Sequence, residues 1–220
     1  MKSIITSVSP YLCEKIVSDD CKILVKKSAS KEVPFKCYIY CTKMRKKADL
    51  ITKSEKFGRI MCSARALFNR AEEYDANGKV IGEFICDKVD NFYCVSVPYQ
   101  RENNLGYGQF IDNGVYKVNN WHEGIAFERN DRYIDTMLNN YDLKEMCLSA
   151  QELFDYIGVG KHLYAWHIAD LKIYDKPKEL SEFRTPKNPH RIGNSHSWIL
   201  DGYKQIKQPP TSWQYVEEIS

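Results

Sequence analysis

Three lysines on one short segment, Lys22, Lys26 and Lys27 in "CKILVKK" (21–27), are the residues whose type and spacing point most directly to chemistry. Ammonium groups carried on a strand offer fixed positive charge to phosphate. Strand alternation places Lys22 and Lys26 on one face and Lys27 on the other. The same lysines also suit a solvated edge strand, where they block edge-to-edge aggregation. Trp166 and His167 are consecutive in "HLYAWHIADLKIYD" and must leave opposite faces of their strand, one to the core and one to solvent or a cleft. Trp166 is a candidate base-stacking platform, an interaction of ~1–3 kcal/mol per base, and equally a candidate core residue. His167 as a general acid–base has no nominated nucleophile beside it. Glu83, in "GKVIGEFICDKV", is an acid lining the interior, where an unpaired carboxylate is costly; a pair with Lys22 or Lys26 would relieve that cost.

Metal chemistry lacks its ligands. Cys37 and Cys41 would need two further donors, His190 and His196 have no partners at ligand spacing, and no cofactor motif is present. None of the eight cysteines forms C-x-x-C, and Cys37, Cys41 and Cys86 sit in apolar runs, where a reduced thiol behaves as a small hydrophobe. The start "MKSIITSVSP" is too short and polar for a signal peptide, and no run approaches ~18 apolar residues. These features predict a cytosolic chain with reduced thiols and no membrane partner.

Positioning such residues needs a core, and 220 residues with 43% hydrophobic and 28% charged side chains provide one. Aromatics at 13%, including fifteen tyrosines, favour sheet or a stacking surface over a plain helix bundle. The net charge of +3 is unevenly spread. Residues 1–60 hold fourteen Lys/Arg against six Asp/Glu, whereas the remainder is acidic on balance. The basic run Lys43–Lys56 reads either as a non-specific phosphate contact or as a solvated insertion.

The pattern predicts a strand at Ser3–Val8, then a helix capped by Ser9 with Pro10 in its first turn. Strands follow at Cys21–Lys27 and Phe35–Thr42. "IMCSARALFNRAEEYDANGK" reads as a helix stopped by Asn77-Gly78. Lys79–Val97 is β-rich, with Gly82 marking a bulge or a close backbone approach. Residues 98–120 read as loop or hairpin, and 121–148 show no typing period. "SAQELFDYIGVGK" is a helix with Ser149 and Glu152 as a capping box and Gly158 or Gly160 at its end. A long strand over His162–Asp175, a short helix beginning at Lys176–Phe183, a polar insertion at 184–208 and a final strand at Pro209–Glu218 complete the chain.

These blocks carry a family likeness. "SVSPYLCEKI" followed by "CKILVKK" resembles the opening of ASCH domains of the PUA-like superfamily, especially those of bacteria and their phages. "FKCYIYCTK" and "GKVIGEFICDKV" resemble the next strands, and "LYAWHIADLKIYDKPKELSEF" and "PPTSWQYVEE" resemble the closing elements, the most specific part of the match. The resemblance spans about half the chain in separated blocks. It implies a PUA-like barrel whose cleft accepts RNA, modified bases or nucleotides. Small amidohydrolases of this fold act on acetylated cytidine through a Lys, a Thr and a Glu, the first two on the strand matched here by Cys21–Lys27. In this chain Leu24 stands where that strand shows Glu or Thr, and Ser9 where the first turn shows Arg or Lys. Lys26 and Lys27 keep the basic end, Lys22 fits the motif lysine with a one-residue shift, and Glu83 matches the later acid. A hydroxyl nucleophile needs a base in reach, and Leu24 leaves that chemistry without an actor. Ser212 and Trp213 belong to a terminal turn that lies near the cleft in the family; a rigid turn with Trp213 buried is the alternative.

The resulting expectation is an α+β fold, a PUA-like/ASCH mixed β-barrel with peripheral helices, forming one domain over 1–220 with insertions near 43–78, 98–148 and 184–208. Its function would be non-catalytic binding of RNA, DNA or a nucleotide by Ser9, Lys22, Lys26, Lys27, Glu83, Trp166, His167, Ser212 and Trp213, without metal or cofactor. Two rivals stand beside it: an amidohydrolase acting on a modified nucleoside, and a phage-type inhibitor of a host defence protein or sequesterer of a nucleotide signal.

Overall fold

The computed structural model describes residues 1–43, 76–97, 115–118, 124–129, 138, 140–187, 190–191, 198–199 and 202–218. The expected helix before Gly78, most of the basic run from Lys43 to Lys56, and His196 lie outside the described residues. In chain order the elements are β1 (Lys2–Val8), α1 (Pro10–Val17), β2 (Ile23–Lys26), β3 (Phe35–Cys41), β4 (Val80–Cys86), β5 (Val89–Val97), β6 (Val115–Lys117) and β7 (Gly124–Arg129). Then come α2 (Asn140–Met146), α3 (Ala150–Ile157), β8 (His162–His167), β9 (Ala169–Lys178), a 3-10 turn (Leu180–Glu182), β10 (Phe183–Pro186), β11 (His190–Arg191), β12 (Trp198–Ile199), β13 (Tyr203–Gln205), β14 (Trp213–Tyr215) and β15 (Glu217–Glu218). The described residues are therefore mostly sheet with few helices. It divides into two compact units: a first of Met1–Ser18, Pro34–Cys86 and Ala169–Ser220, and a second of Asp19–Val33 and Asp87–Ile168.

The first unit rests on a five-stranded sheet in the order β14-β1-β3-β4-β9, with β1 and β3 parallel and the other pairs antiparallel. A parallel neighbour needs a crossover, and α1 lies within it. That helix begins where the sequence signals it: Pro10 occupies the first turn and the Ser9 hydroxyl accepts a hydrogen bond from Leu12 N at 3.3 Å. One face of the sheet carries Ile5, Tyr38, Tyr40, Val80 and Tyr174, packed with Phe183, Ile206 and Val216 from the C-terminal segment. Residues 184–208 are thus more than a polar insertion: they supply β10 and β13 of a second sheet, β13-β10-β15, and the core residue Ile206.

The second unit rests on a sheet in the order β2-β8-β5-β7-β6, antiparallel throughout. Ile23, Val25, Phe92, Cys94, Ile125, Phe127, Leu163 and Ala165 pack on one face with Leu153 and Ile157 of α3 and Met146 of α2. The capping box at Ser149 is present, with Glu152 N on the Ser149 hydroxyl and the Glu152 carboxylate on Ser149 N, and Gly158 follows the helix at φ 78°. The untyped stretch before Ser149 supplies β7 and α2 to this core.

Three expectations need correction. Neither five-stranded sheet closes into a barrel among the described residues: each ladder ends on a strand paired along one side, β14 and β9 in one case, β2 and β6 in the other. The long strand over His162–Asp175 is two strands, because the chain passes from one sheet to the other at Ile168 and Asp170 takes a positive φ of 48°. The final strand is likewise two short ones, β14 and β15. By contrast, Gly82 sits in the irregular register that was expected of it, with shifts between Val80 and Gly82 on the β9 side.

A Cβ on Gly82 would stand 2.4 Å from the Lys172 carbonyl oxygen, a backbone atom held by the ladder. Gly82→Ala is therefore expected to destabilise the chain by about 1–3 kcal/mol, the scale of overpacking a tight site. Urea denaturation should show a lower midpoint with an unchanged slope; an unchanged midpoint would refute the close-approach reading.

Candidate nucleic-acid interface

In the second unit, β8 runs between β2 and β5, and its register sorts side chains into three rows on the face opposite the apolar core. Leu24, Trp166 and Val89 stand side by side in the first row; Lys26, Tyr164 and Asn91 in the second; His162 and Tyr93, continuing to Glu128 on β7, in the third. Burial falls along these rows. Leu24 and Trp166 are 1% and 0% exposed and Lys26 6%, whereas Tyr164, Asn91, His162 and Tyr93 are half-buried and Glu128 is exposed. The outer rows therefore present aromatic rings. Tyr93 and His162 lie with centroids 4.9 Å apart, and His162 and Tyr164 6.5 Å apart at 32°. His162 Nδ1 is 3.0 Å from Asn91 Oδ1, which holds the imidazole in place.

The sequence-derived site residues take varied places. Trp166 is core, so it offers no face to a base. Its period-2 neighbours Tyr164 and His162 are the half-buried rings on that face, a signal present in "HLYAWH" as the same alternation. Lys26 shares the face with Trp166 but is nearly buried, and Lys22 lies just before β2, exposed and paired with Asp19 at 2.5 Å. The two lysines thus do not form the exposed pair that alternation predicts, because both faces of β2 are covered. Lys27 turns outward, with its ammonium 4.6 Å from the ring centroid of Tyr156. His167 leaves the other face, as expected, and its Nε2 lies 2.8 Å from the Asp90 carboxylate, which also takes Lys88 at 3.0 Å. Leu24, opposite Trp166, is likewise core.

The remaining candidates belong to the first unit. Ser9 caps α1. Ser212 holds the terminal turn against β1 through its backbone: its carbonyl accepts Ser7 N and Thr6 Oγ1, each at 3.0 Å. Trp213 pairs with Thr6, is half-buried, and packs edge-on to Tyr215 at 5.5 Å. Glu83 finds its cation on a neighbouring strand, not on β2. Lys36 donates to Oε1 at 3.2 Å and the Tyr174 hydroxyl to Oε2 at 2.6 Å. Nearby, the Tyr38 hydroxyl donates to Glu218 at 3.3 Å, and Lys178 pairs with the same carboxylate. Burial and the adjacent carboxylates push the Tyr38 and Tyr174 hydroxyls well above the usual phenol range. Burial pushes Glu83 up as well, but the bonds from Tyr174 and Lys36 outweigh it and hold the carboxyl below its usual value. This arrangement neutralises two carboxylates and ties the last strand to the sheet; each acid is engaged as a hydrogen-bond acceptor.

No group of three or more His, Cys, Asp or Glu side chains suited to a metal is found among the described residues, and no described helix is long and apolar enough to cross a membrane. No disulfide is assigned among the described cysteines, six of which are buried, and burial pushes the Cys21 thiol up to about 12.

Because the folded state lowers the Glu83 pKa, the stability it contributes is present above the unfolded value, about 4.3, and is lost as pH falls through the folded one. Glu83→Gln is expected to cost about 1.5–3 kcal/mol at pH 7, the scale of hydrogen bonds to a charged group. The gap to the wild type should narrow between pH 5 and pH 3 in denaturant titrations. A gap of constant size across that range contradicts the assignment.

No family model and no curated protein matches the chain. Among solved structures it is distantly similar to one described as "Crystal structure of ASCH from Zymomonas mobilis", at 14% sequence identity over 81% of this chain and 74% of that one, with a TM-score of 0.39.

Proposed function

We propose that the chain is a non-catalytic module that binds single-stranded nucleic acid on the outer rows of the β2-β8-β5 face. The observation that carries this reading is the set of half-buried rings, Tyr164, His162 and Tyr93, on one face of one sheet, with the Asn91 side chain between them. Rings held side by side on adjacent strands accept unstacked bases on their π faces, and this binding tolerates any base. The half-buried state of the rings fits a preformed platform: their edges are fixed by the sheet, so little side-chain entropy is lost when a base settles on them. The ASCH-like order of the sequence blocks supports the same class of ligand. Leu24 in the core supports a role without acyl chemistry on this strand.

Fluorescence anisotropy with labelled single-stranded RNA and DNA, and with a duplex control, tests this reading. Single strands should bind more tightly than the duplex, with affinity falling as salt rises. Tyr164→Ala should weaken binding roughly 5- to 150-fold, matching ~1–3 kcal/mol per stacked base, while Trp213→Ala in the first unit leaves it unchanged. Absence of binding at low salt, or a Tyr164→Ala variant that binds like the wild type, would overturn the proposal.

A further inference from the structure

The first unit contains a cleft of about 880 Å³, within the size range of small-molecule sites, and of the candidate phosphate contacts in the sequence only Lys43, the first residue of the basic run, is among its described lining residues. Its floor is apolar: Tyr40 and Ile206 are core residues, and Leu180 packs beside them. Its rim is cationic. Lys43 and Lys207 both line it and are exposed, while Glu179, the one carboxylate among its described lining residues, is met by Lys79 at 3.3 Å. Thr42, Ser181 and Thr211, each with a side-chain hydroxyl, also line the cleft.

The walls are preformed. The Ser7 hydroxyl donates to the Pro210 carbonyl at 2.6 Å, fixing the Pro209-Pro210 wall to the end of β1. Gln205 Nε2 donates to the Ser181 carbonyl at 2.6 Å, fixing the start of the 3-10 turn to β13. Lys43 is guided across Gly78, whose N–H donates to the Cys41 carbonyl at 3.0 Å. A Cβ at Gly78 would stand 2.5 Å from Lys43 Cε and 2.7 Å from Cγ, and φ there is +77°. Glycine is what allows the lysine stem to lie on the backbone at this rim.

We propose that this cleft is a ligand site for a nucleoside phosphate, separate from the aromatic face of the second unit. The flat base would lie on the Leu180–Ile206 floor against the proline wall, the phosphates between Lys43 and Lys207, and the sugar hydroxyls on the Thr and Ser side chains. An apolar slot with a few convergent polar groups and net positive charge at its mouth matches that chemistry in each part. Neither a free phosphate nor an uncharged nucleoside uses both the floor and the rim.

Isothermal titration with the four ribonucleoside triphosphates, the parent nucleosides and inorganic triphosphate tests the site on the wild type and on Lys43→Glu, Lys207→Glu and Tyr164→Ala. At least one triphosphate should bind the wild type and Tyr164→Ala alike. Each charge reversal should weaken it roughly tenfold or more, as expected for losing a hydrogen bond to a charged group. The nucleoside and the inorganic triphosphate should each bind less tightly than the whole nucleotide. Both lysines are exposed, and thermal melts of the ligand-free variants verify that they fold. Binding by no nucleotide at millimolar concentration overturns the proposal, as does affinity indifferent to both reversals. Inorganic triphosphate binding as tightly as the nucleotide overturns the assignment of a base to the floor. Nucleotide binding lost in Tyr164→Ala but kept in both lysine variants overturns the cleft and moves the ligand to the aromatic face.

Discussion

In β8 every second side chain must leave the same face of the sheet, and hydrogen bonding to β2 on one side and β5 on the other determines what stands beside each of them. That constraint organises the second unit. A slip of one residue would exchange Leu163 and Ala165, which pack with α3, for His162, Tyr164 and Trp166. The apolar set settles the register, because burying those polar rings under the helix would forfeit core packing. With the register settled, Trp166, Tyr164 and His162 form one line of aromatics whose exposure rises along the strand. The aromatic face is a by-product of core formation on the opposite face.

The first unit answers a different problem, that of carboxylates brought close to a sheet surface. Glu83 is held in the middle of β4 between Tyr38 and Lys172 in the ladder, and its side chain is only 18% exposed. Desolvation alone would favour the neutral acid. The Tyr174 hydroxyl and the Lys36 ammonium keep the anion instead, and on the terminal strand Glu218 is met by the Tyr38 hydroxyl and by Lys178. The C-terminal segment is thereby joined to the sheet both by apolar packing around Phe183 and Ile206 and by a set of charge-assisted hydrogen bonds. The cleft opens where this covering segment meets the ends of β1 and β3.

Local signals were readable where a single residue type answers a local demand. Ser9 and Pro10 start α1, Ser149 and Glu152 form a capping box, and Gly82 marks the place where β9 approaches β4 too closely for a Cβ. The opposite orientations of Trp166 and His167 follow from strand geometry. Other features resisted reading. The strand expected to run through Ile168 is broken because its two halves belong to different sheets, and no Gly or Pro announces the change, only Asp170 in a left-handed conformation. The lysines of "CKILVKK" read as a patterned surface, yet β2 is covered on both faces, so Lys26 is drawn inside. Glu83 was expected to pair with the lysines of β2, whereas its cation, Lys36, stands on the strand next to it.

By itself the sequence determined the class of the fold, the sites of helix initiation, the tight glycine on β4 and the richness in aromatic side chains, since each depends on interactions within a few residues or on composition. It also determined that one of Trp166 and His167 would be buried. Only the tertiary structure decided which one, left Tyr164 and His162 as the half-buried rings of that face, gave Glu83 its partners, and assembled a cleft from residues as distant in the chain as Ser7, Lys43 and Lys207. The reason is physical: burial and pairing are set by strands that meet across long stretches of chain. A residue's own neighbours specify which way it points, but not what covers it.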